Sequence, residues 1–111
     1  MSNVQTRELV ASIRSEKAPL SGQKNRSSGN FSTEVLPTGT KRLLWEVEGG
    51  GVDPYDITFN VMRDVSAGTD PVELEGVITG NASRVVSARS LYIANPSGAQ
   101  SSFVVKVYAI V

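Results

Sequence analysis

The chain has 111 residues, which is enough for one domain with a substantial core and too few for two. It contains no cysteine and no histidine, which excludes disulfides, thiolate nucleophiles and every catalytic or metal site built on histidine. Eleven basic and eleven acidic side chains give zero net charge, so no overall field directs the protein toward nucleic acid or a membrane. The sequence therefore predicts no catalytic residue, no cofactor and no metal.

The charges are unevenly distributed along the chain. Residues 1–30 hold five basic and two acidic side chains, a net charge of +3, whereas residues 31–111 hold six basic and nine acidic ones, a net charge of −3. Two segments of opposite sign attract each other, within one molecule or between neighbours. This split is the first indication of an assembling protein.

Residues 1–30 are predicted to be an N-terminal arm and linker. Leu9, Val10 and Ile13 fall on one face at helical spacing, which predicts a short helix near residues 4–15. That apolar stripe is too narrow to hold an isolated helix in water. We therefore expect the stripe to dock on a neighbouring subunit or on a particle surface.

The second half of the arm, residues 18–30, is rich in Ser, Gly, Asn and Pro without periodicity, which is typical of a flexible linker. Basic side chains along the whole arm would steer the docking. They are Arg7, Arg14, Lys24 and Arg26. Five positive charges diluted by two negative ones are a weak footprint for nucleic acid, so nucleic acid is not an expected partner.

From Phe31 onward the apolar residues alternate with period two. In "KRLLWEVE" the side chains of Leu43, Trp45 and Val47 share one face, and similar runs recur along the body. Turn residues separate about seven to eight such strands. This pattern predicts an all-β protein, an antiparallel, jelly-roll-like β-sandwich over residues 31–111 with an extended N-terminal arm. Trp45, Phe59 and Val107 are predicted to be buried in its core.

The final segment, "SFVVKVYAIV", is apolar on both faces. One interpretation is a central strand covered on both sides. The other is that the outward side chains of Val104, Tyr108 and Ile110 form an assembly surface, because an unpaired apolar strand invites edge-to-edge association.

The stretch from Gly49 to Pro54 contains three consecutive glycines. A phosphate-binding loop requires a helix and a lysine after the glycines, and here another alternating strand follows instead. The stretch is predicted to be a hairpin connection. Asp53 and Asp56 offer carboxylates to calcium, but further acidic ligands are missing from the motif, so a solvated loop is the favoured interpretation.

Two resemblances follow from these features. The segment "LLWEVEGGGVDPYDITFNV" and the pair Tyr92 and Asn95 resemble the GOLD (Golgi dynamics) β-sandwich, which implies a non-enzymatic adaptor that recognises a protein or lipid partner. The residues matching that pattern in the first segment are Trp45, Val47, Asp56, Ile57, Phe59 and Val61. No membrane-spanning segment or coiled coil accompanies them.

The organisation of the chain, a short cysteine-free sandwich behind an N-terminal arm, is similar to decoration, cement or coat proteins of virus and phage particles. This resemblance implies a non-enzymatic structural protein that binds other copies of itself or a capsid protein. Such a protein would be a homo-oligomer or lattice-bound in the virion, with a cytoplasmic location as the alternative. Of the two functions, we expect structural assembly rather than the adaptor.

Overall fold

The protein is described by a computed structural model covering residues 6–17, 25–26, 36–86 and 91–111, with residues 25–26 described through their backbone. These residues form eight strands and one 3-10 turn. The strands are β1 (Arg7–Ser15), β2 (Asn25–Arg26), β3 (Arg42–Gly49), β4 (Thr58–Arg63), β5 (Val72–Val77), β6 (Asn81–Ser83), β7 (Leu91–Ser97) and β8 (Phe103–Ile110). The 3-10 turn spans Pro54–Asp56, between β3 and β4.

The strands form two four-stranded antiparallel sheets, which we call sheet A and sheet B. Sheet A has the order β1-β8-β3-β6, and sheet B has the order β2-β7-β4-β5. The pairs β1·β8, β2·β7, β3·β6 and β4·β5 are the successive rungs of one long antiparallel ribbon, and the pairs β3·β8 and β4·β7 close that ribbon on itself. This wrapping defines a jelly roll. The predicted all-β sandwich is confirmed.

The core lies between the two sheets and is built from alternate residues of the strands. Trp45 and Val107 have no exposed surface and Phe59 is 1% exposed, so the three predicted core positions are confirmed. The rings of Phe59 and Phe103 meet across the core with centroids 6.3 Å apart. Leu36 and Val86 bury their side chains at the margins of the same cluster.

The N-terminal segment is part of this sandwich, which corrects the predicted helix and the predicted domain boundary. β1 pairs with β8 along its whole length, and Ala11 and Ile13 join the core at 5% and 0% exposure. A bulge between Leu9 and Ala11 puts one extra residue into β1, which interrupts the alternation and imitates helical spacing. Residues 7–15 are therefore a structural strand, not a free arm. Most of the predicted linker, residues 18–24 and 27–30, lies outside the described residues.

Irregularities in sheet B account for further differences from the predicted strands. Tyr55 continues the alternation of Ile57, Phe59 and Val61 in the sequence, but it lies on the 3-10 turn and is 71% exposed. Asn95, Pro96 and Ser97 are residue types typical of turns, but they lie within β7, where a register shift against β4 marks a bulge and Asn95 has a φ of 50°. A bulge tolerates the Pro96 that a regular central strand would not.

The three glycines connect the two sheets, which corrects the predicted hairpin. β3 belongs to sheet A and β4 to sheet B, so the chain crosses over the core between them. The backbone of Gly50 bonds with the β7–β8 loop: its N–H donates to Ser102 at 3.1 Å, and its carbonyl accepts from Gln100 and Ser101 at 2.8 and 3.1 Å. Positive φ values from 71° to 89° at all three glycines make this close approach possible.

Candidate interaction surface

Most of the side chains that the sequence predicted for an interface lie on the outer side of sheet A. β1, β8 and β3 lie next to one another in register, and their outward residues form four rows. We call this surface the sheet A face. It consists of Arg7, Leu9, Ser12 and Arg14 from β1, Ile110, Tyr108, Lys106 and Val104 from β8, and Arg42, Leu44, Glu46 and Glu48 from β3.

An apolar row crosses the sheet A face. Leu9 stands opposite Tyr108, Tyr108 stands opposite Leu44, and Leu44 stands opposite Ala82 of β6. Leu9 is 49% exposed, and Tyr108 and Leu44 are half-buried. Ile110 adds apolar surface in the next row, and Val104 lies two rows away on the other side, beyond Lys106. A row of aromatic and aliphatic side chains with charged neighbours is the composition found at the centre of protein interfaces.

Arg7 fixes the aromatic part of the row. Its guanidinium lies 4.5 Å from the ring centroid of Tyr108, and its Nη1 donates a hydrogen bond to Oε1 of Glu46 at 2.9 Å. A cation over an aromatic ring is attracted by the ring's quadrupole. Arg7 thus joins β1, β8 and β3 across the surface and holds Tyr108 in one orientation. An ordered aromatic loses less freedom on binding than a mobile one.

The second carboxylate of the face is also paired. Lys106 Nζ lies 3.1 Å from Oε2 of Glu48. The hydrogen bond and the charge attraction from Glu48 raise the pKa of Lys106 above its ordinary value of 10.5. Lys106 is therefore a permanent cation near neutral pH.

The sheet A face carries a surplus of positive charge. Its four cations outnumber its two carboxylates, and both carboxylates are held by Arg7 and Lys106. Arg14 is 69% exposed and reaches Glu16 in the adjoining turn at 3.7 Å, a loose contact. Arg42 is exposed and has no ion pair with any of the described residues. The face can therefore attract a negatively charged surface.

The negative charge of the molecule lies elsewhere, around β4 and β5. Residues 53–75 hold six acidic side chains and one basic side chain, a net charge of −5. Glu73 takes part in a local network, since Arg63 Nε lies 3.3 Å and Arg84 Nη2 lies 3.1 Å from its carboxylate oxygens. Glu75 is exposed and pairs with none of the described cations. Val72, 52% exposed, lies three residues before it.

The structure brings together six of the ten residues predicted for an interface. These are Arg7, Leu9, Arg14, Val104, Tyr108 and Ile110, all on the sheet A face. Ile13 was predicted as a docking anchor, and this is wrong because its side chain is fully buried in the core of its own chain. Val10, at the bulge, is half-buried against that core and is not an anchor either.

The remaining two predicted residues are Lys24 and Arg26. Lys24 lies outside the described residues. Arg26 pairs through its backbone with Tyr92, at the edge of sheet B, and nothing is described of its side chain.

The structure tests one of the two interpretations of the C-terminal segment, that of a central strand covered on both sides. β8 is a central strand, paired with β1 on one side and β3 on the other. Its inward residues Phe103, Val105, Val107 and Ala109 are buried in the core, while its outward residues are half-buried on the sheet A face. The strand is thus covered fully on one face, and the other face belongs to the candidate surface.

The loop with the two aspartates has a local structural role. Asp53 Oδ1 accepts a hydrogen bond from the backbone N–H of Tyr55 at 3.0 Å and begins the 3-10 turn. Among residues 6–17, 36–86 and 91–111, no group of three or more acidic side chains is close enough to hold a metal ion. The turn has three residues, too short to offer an anion-binding helix end.

Six of the twelve members of the sheet A face were not predicted from the sequence, among them Leu44 and Arg42. In "KRLLWEVE", Leu44 is an apolar residue on the face that Arg42, Glu46 and Glu48 make polar. The sequence does contain a sign of this surface, because an apolar residue on the polar face of a strand indicates that the face contacts another part of a protein.

Comparison with known proteins adds no relative: no family model, no curated protein and no solved structure matches the chain. In the part of the chain that the structure describes, no helix has the length and apolar character needed to cross a membrane.

Proposed function

We propose that this chain is a non-enzymatic structural subunit that assembles with further copies of itself through the sheet A face, as coat or decoration proteins of virus particles do. The observation that carries this proposal is the apolar row Leu9–Tyr108–Leu44 across an outward-facing sheet. A sandwich needs apolar residues between its sheets, not on its outer side, so this row is explained by contact with another protein surface.

The jelly-roll topology supports the same proposal. This architecture recurs in viral capsid domains, as well as in lectins and cupins. A fold alone does not define a function. Here the fold coincides with a central strand that is apolar on both sides and with an oriented aromatic at the middle of the exposed face, and that combination favours assembly among the functions the fold can carry.

Self-association of the purified chain tests the proposal. We expect the apparent mass in analytical ultracentrifugation to rise with protein concentration. Replacing Leu9 by Ser, together with Tyr108 by Ser, should return the protein to a monomer, because truncating the central residues of an interface removes most of its affinity. The matched control is Tyr55→Ser, which removes a more exposed side chain from the β3–β4 loop and should leave association unchanged.

Two outcomes would overturn the proposal. One is a chain that stays monomeric at every concentration, which would favour the adaptor function instead. The other is a folded Leu9→Ser, Tyr108→Ser variant that associates as the original chain does.

A further inference from the structure

We infer that the copies associate head to tail, with the sheet A face of one copy resting on the acidic edge of the next. We define the acidic edge as Val72, Glu73 and Glu75 on β5, the outer strand of sheet B. This inference rests on the proposed function and goes beyond it by naming both surfaces. The interface is then heterologous, joining two different patches, rather than one patch meeting itself.

Charge argues against the sheet A face meeting its own copy. The face has four cations and two carboxylates, and both carboxylates are occupied within the chain. Face-to-face pairing would bring together two surfaces with the same positive surplus, and like charges brought together across an interface cost affinity. The occupant of the face should instead be negative.

The acidic edge has the complementary properties. It lies in the stretch of residues 53–75, whose net charge is −5. Val72 is 52% exposed and offers an apolar contact to the row of Leu9, while Glu75 is an exposed carboxylate available to Arg14 or Arg42. Glu73 is 14% exposed and its charge is offset by Arg63 and Arg84, so Glu75 carries the negative charge of this edge that no described cation offsets. An edge that offers an apolar side chain and an exposed carboxylate matches a face that is apolar and basic.

The topology allows one copy to use both surfaces at once. β1 contacts β2 and β7, so the two sheet orders run in the same direction, and β5 lies on the side of the sandwich away from β1. The two surfaces therefore do not overlap. A heterologous contact repeated from copy to copy closes into a ring or extends as an open array. Either outcome suits a protein of a particle surface.

Two blocked variants test this arrangement. The face-blocked chain carries Leu9→Asp and Arg42→Glu, and the edge-blocked chain carries Val72→Lys and Glu75→Lys. All four positions are exposed, so both variants should fold, which circular dichroism and thermal unfolding would verify. We expect each variant alone to be monomeric. Their equimolar mixture should form a one-to-one dimer, since the intact face of one can bind the intact edge of the other.

A single substitution and its control separate local charge from net charge. Glu75→Lys should weaken self-association about tenfold or more, because it opposes a cation to the cations of the face. Glu8→Lys makes the same change in net charge on β1, at the basic side, and should not weaken association. The association of the original chain should also weaken in 1 M salt, where the Debye length falls to about 3 Å.

The outcomes distinguish this inference from the proposed function. If the edge-blocked chain associates with itself as well as the original chain does, while the face-blocked chain stays monomeric, head-to-tail association is wrong, although the face remains the contact. A mixture of folded variants that stays monomeric also refutes it. If both blocked variants self-associate normally, the sheet A face is not the contact, and the proposed function fails as well.

Discussion

Replacing Ile13 by Ala tests the finding that the N-terminal segment is a structural strand. Ile13 has no exposed surface and packs into the core opposite Val105. The change removes about three methyl or methylene groups, each contributing about 0.8 kcal/mol when buried. The cavity left behind raises the expected loss of unfolding free energy to about 2–5 kcal/mol.

The matched variant is Leu9→Ala on the same strand. Leu9 is 49% exposed on the sheet A face, so its truncation loses about half of the transfer term and leaves no closed cavity. We expect a loss of about 1 kcal/mol or less. Leu and Ile are isomers, which means that the difference between the two variants reports where the side chains lie rather than their size.

Urea unfolding followed by tryptophan fluorescence measures both losses. Trp45 is the single tryptophan and is fully buried, so its emission reports exposure of the core. The measurement is made at a low protein concentration, at which self-association contributes little to apparent stability. A loss below about 1 kcal/mol for Ile13→Ala would refute the structural role of β1, since a fully buried aliphatic side chain cannot be truncated at that cost.

Two further predictions concern a loop and a charge. Gly98→Ala should destabilise the protein by about 3 kcal/mol, because the φ of Gly98 is 93° and a Cβ there would overlap a backbone carbonyl of the β3–β4 loop. The control is Gly68→Ala, which should cost about 1 kcal/mol, because Gly68 has a similar φ of 82° but open space around it. Equal losses in thermal or urea unfolding would contradict this account. Lys106 should titrate above 10.5 by NMR, and Glu48→Gln should lower its pKa. Because the pKa of Lys106 is raised in the folded protein, the stability that this ion pair contributes is fully present below the unfolded pKa and is lost as the pH rises through the folded pKa. If Lys106 titrates unchanged in Glu48→Gln, Glu48 is not the cause of the raised pKa.

The fold could be predicted from the sequence where strands are regular and not where they bulge. β3 and β8 contain no bulge, so buried and outward side chains alternate along their whole length, and the predicted core position of Trp45 is correct. In β1 the extra residue between Leu9 and Ala11 changes which side chains point outward. Leu9 points outward and Ile13 points inward, but their spacing in the sequence is that of residues on one face of a helix. A bulge is stabilised by the neighbouring strand, and local periodicity does not contain that information.

The interaction surface was partly predictable for a related reason. The outward apolar residues of β8 can be recognised in the sequence because both faces of that strand are apolar. Their neighbours on β1 and β3 depend on sheet order, which brings residues 7–14 beside residues 104–110 although almost the whole chain separates them. The sequence showed that positive and negative charges are unevenly distributed, and the predicted division was between residues 1–30 and residues 31–111. In the fold the separation lies between the sheet A face and residues 53–75.

β1 links folding and assembly within a single strand. Its inward side chains, Ala11 and Ile13, complete the core, and its outward ones, Arg7 and Leu9, complete the sheet A face. Deleting the N-terminal segment would thus remove a core strand and leave the edge of β8 unpaired, an opening that favours non-specific aggregation. Truncation consequently cannot separate the two roles of β1. Substitutions can, because alternate side chains of one strand point to opposite faces of the sheet, and a change at Leu9 leaves the contacts of Ile13 in place.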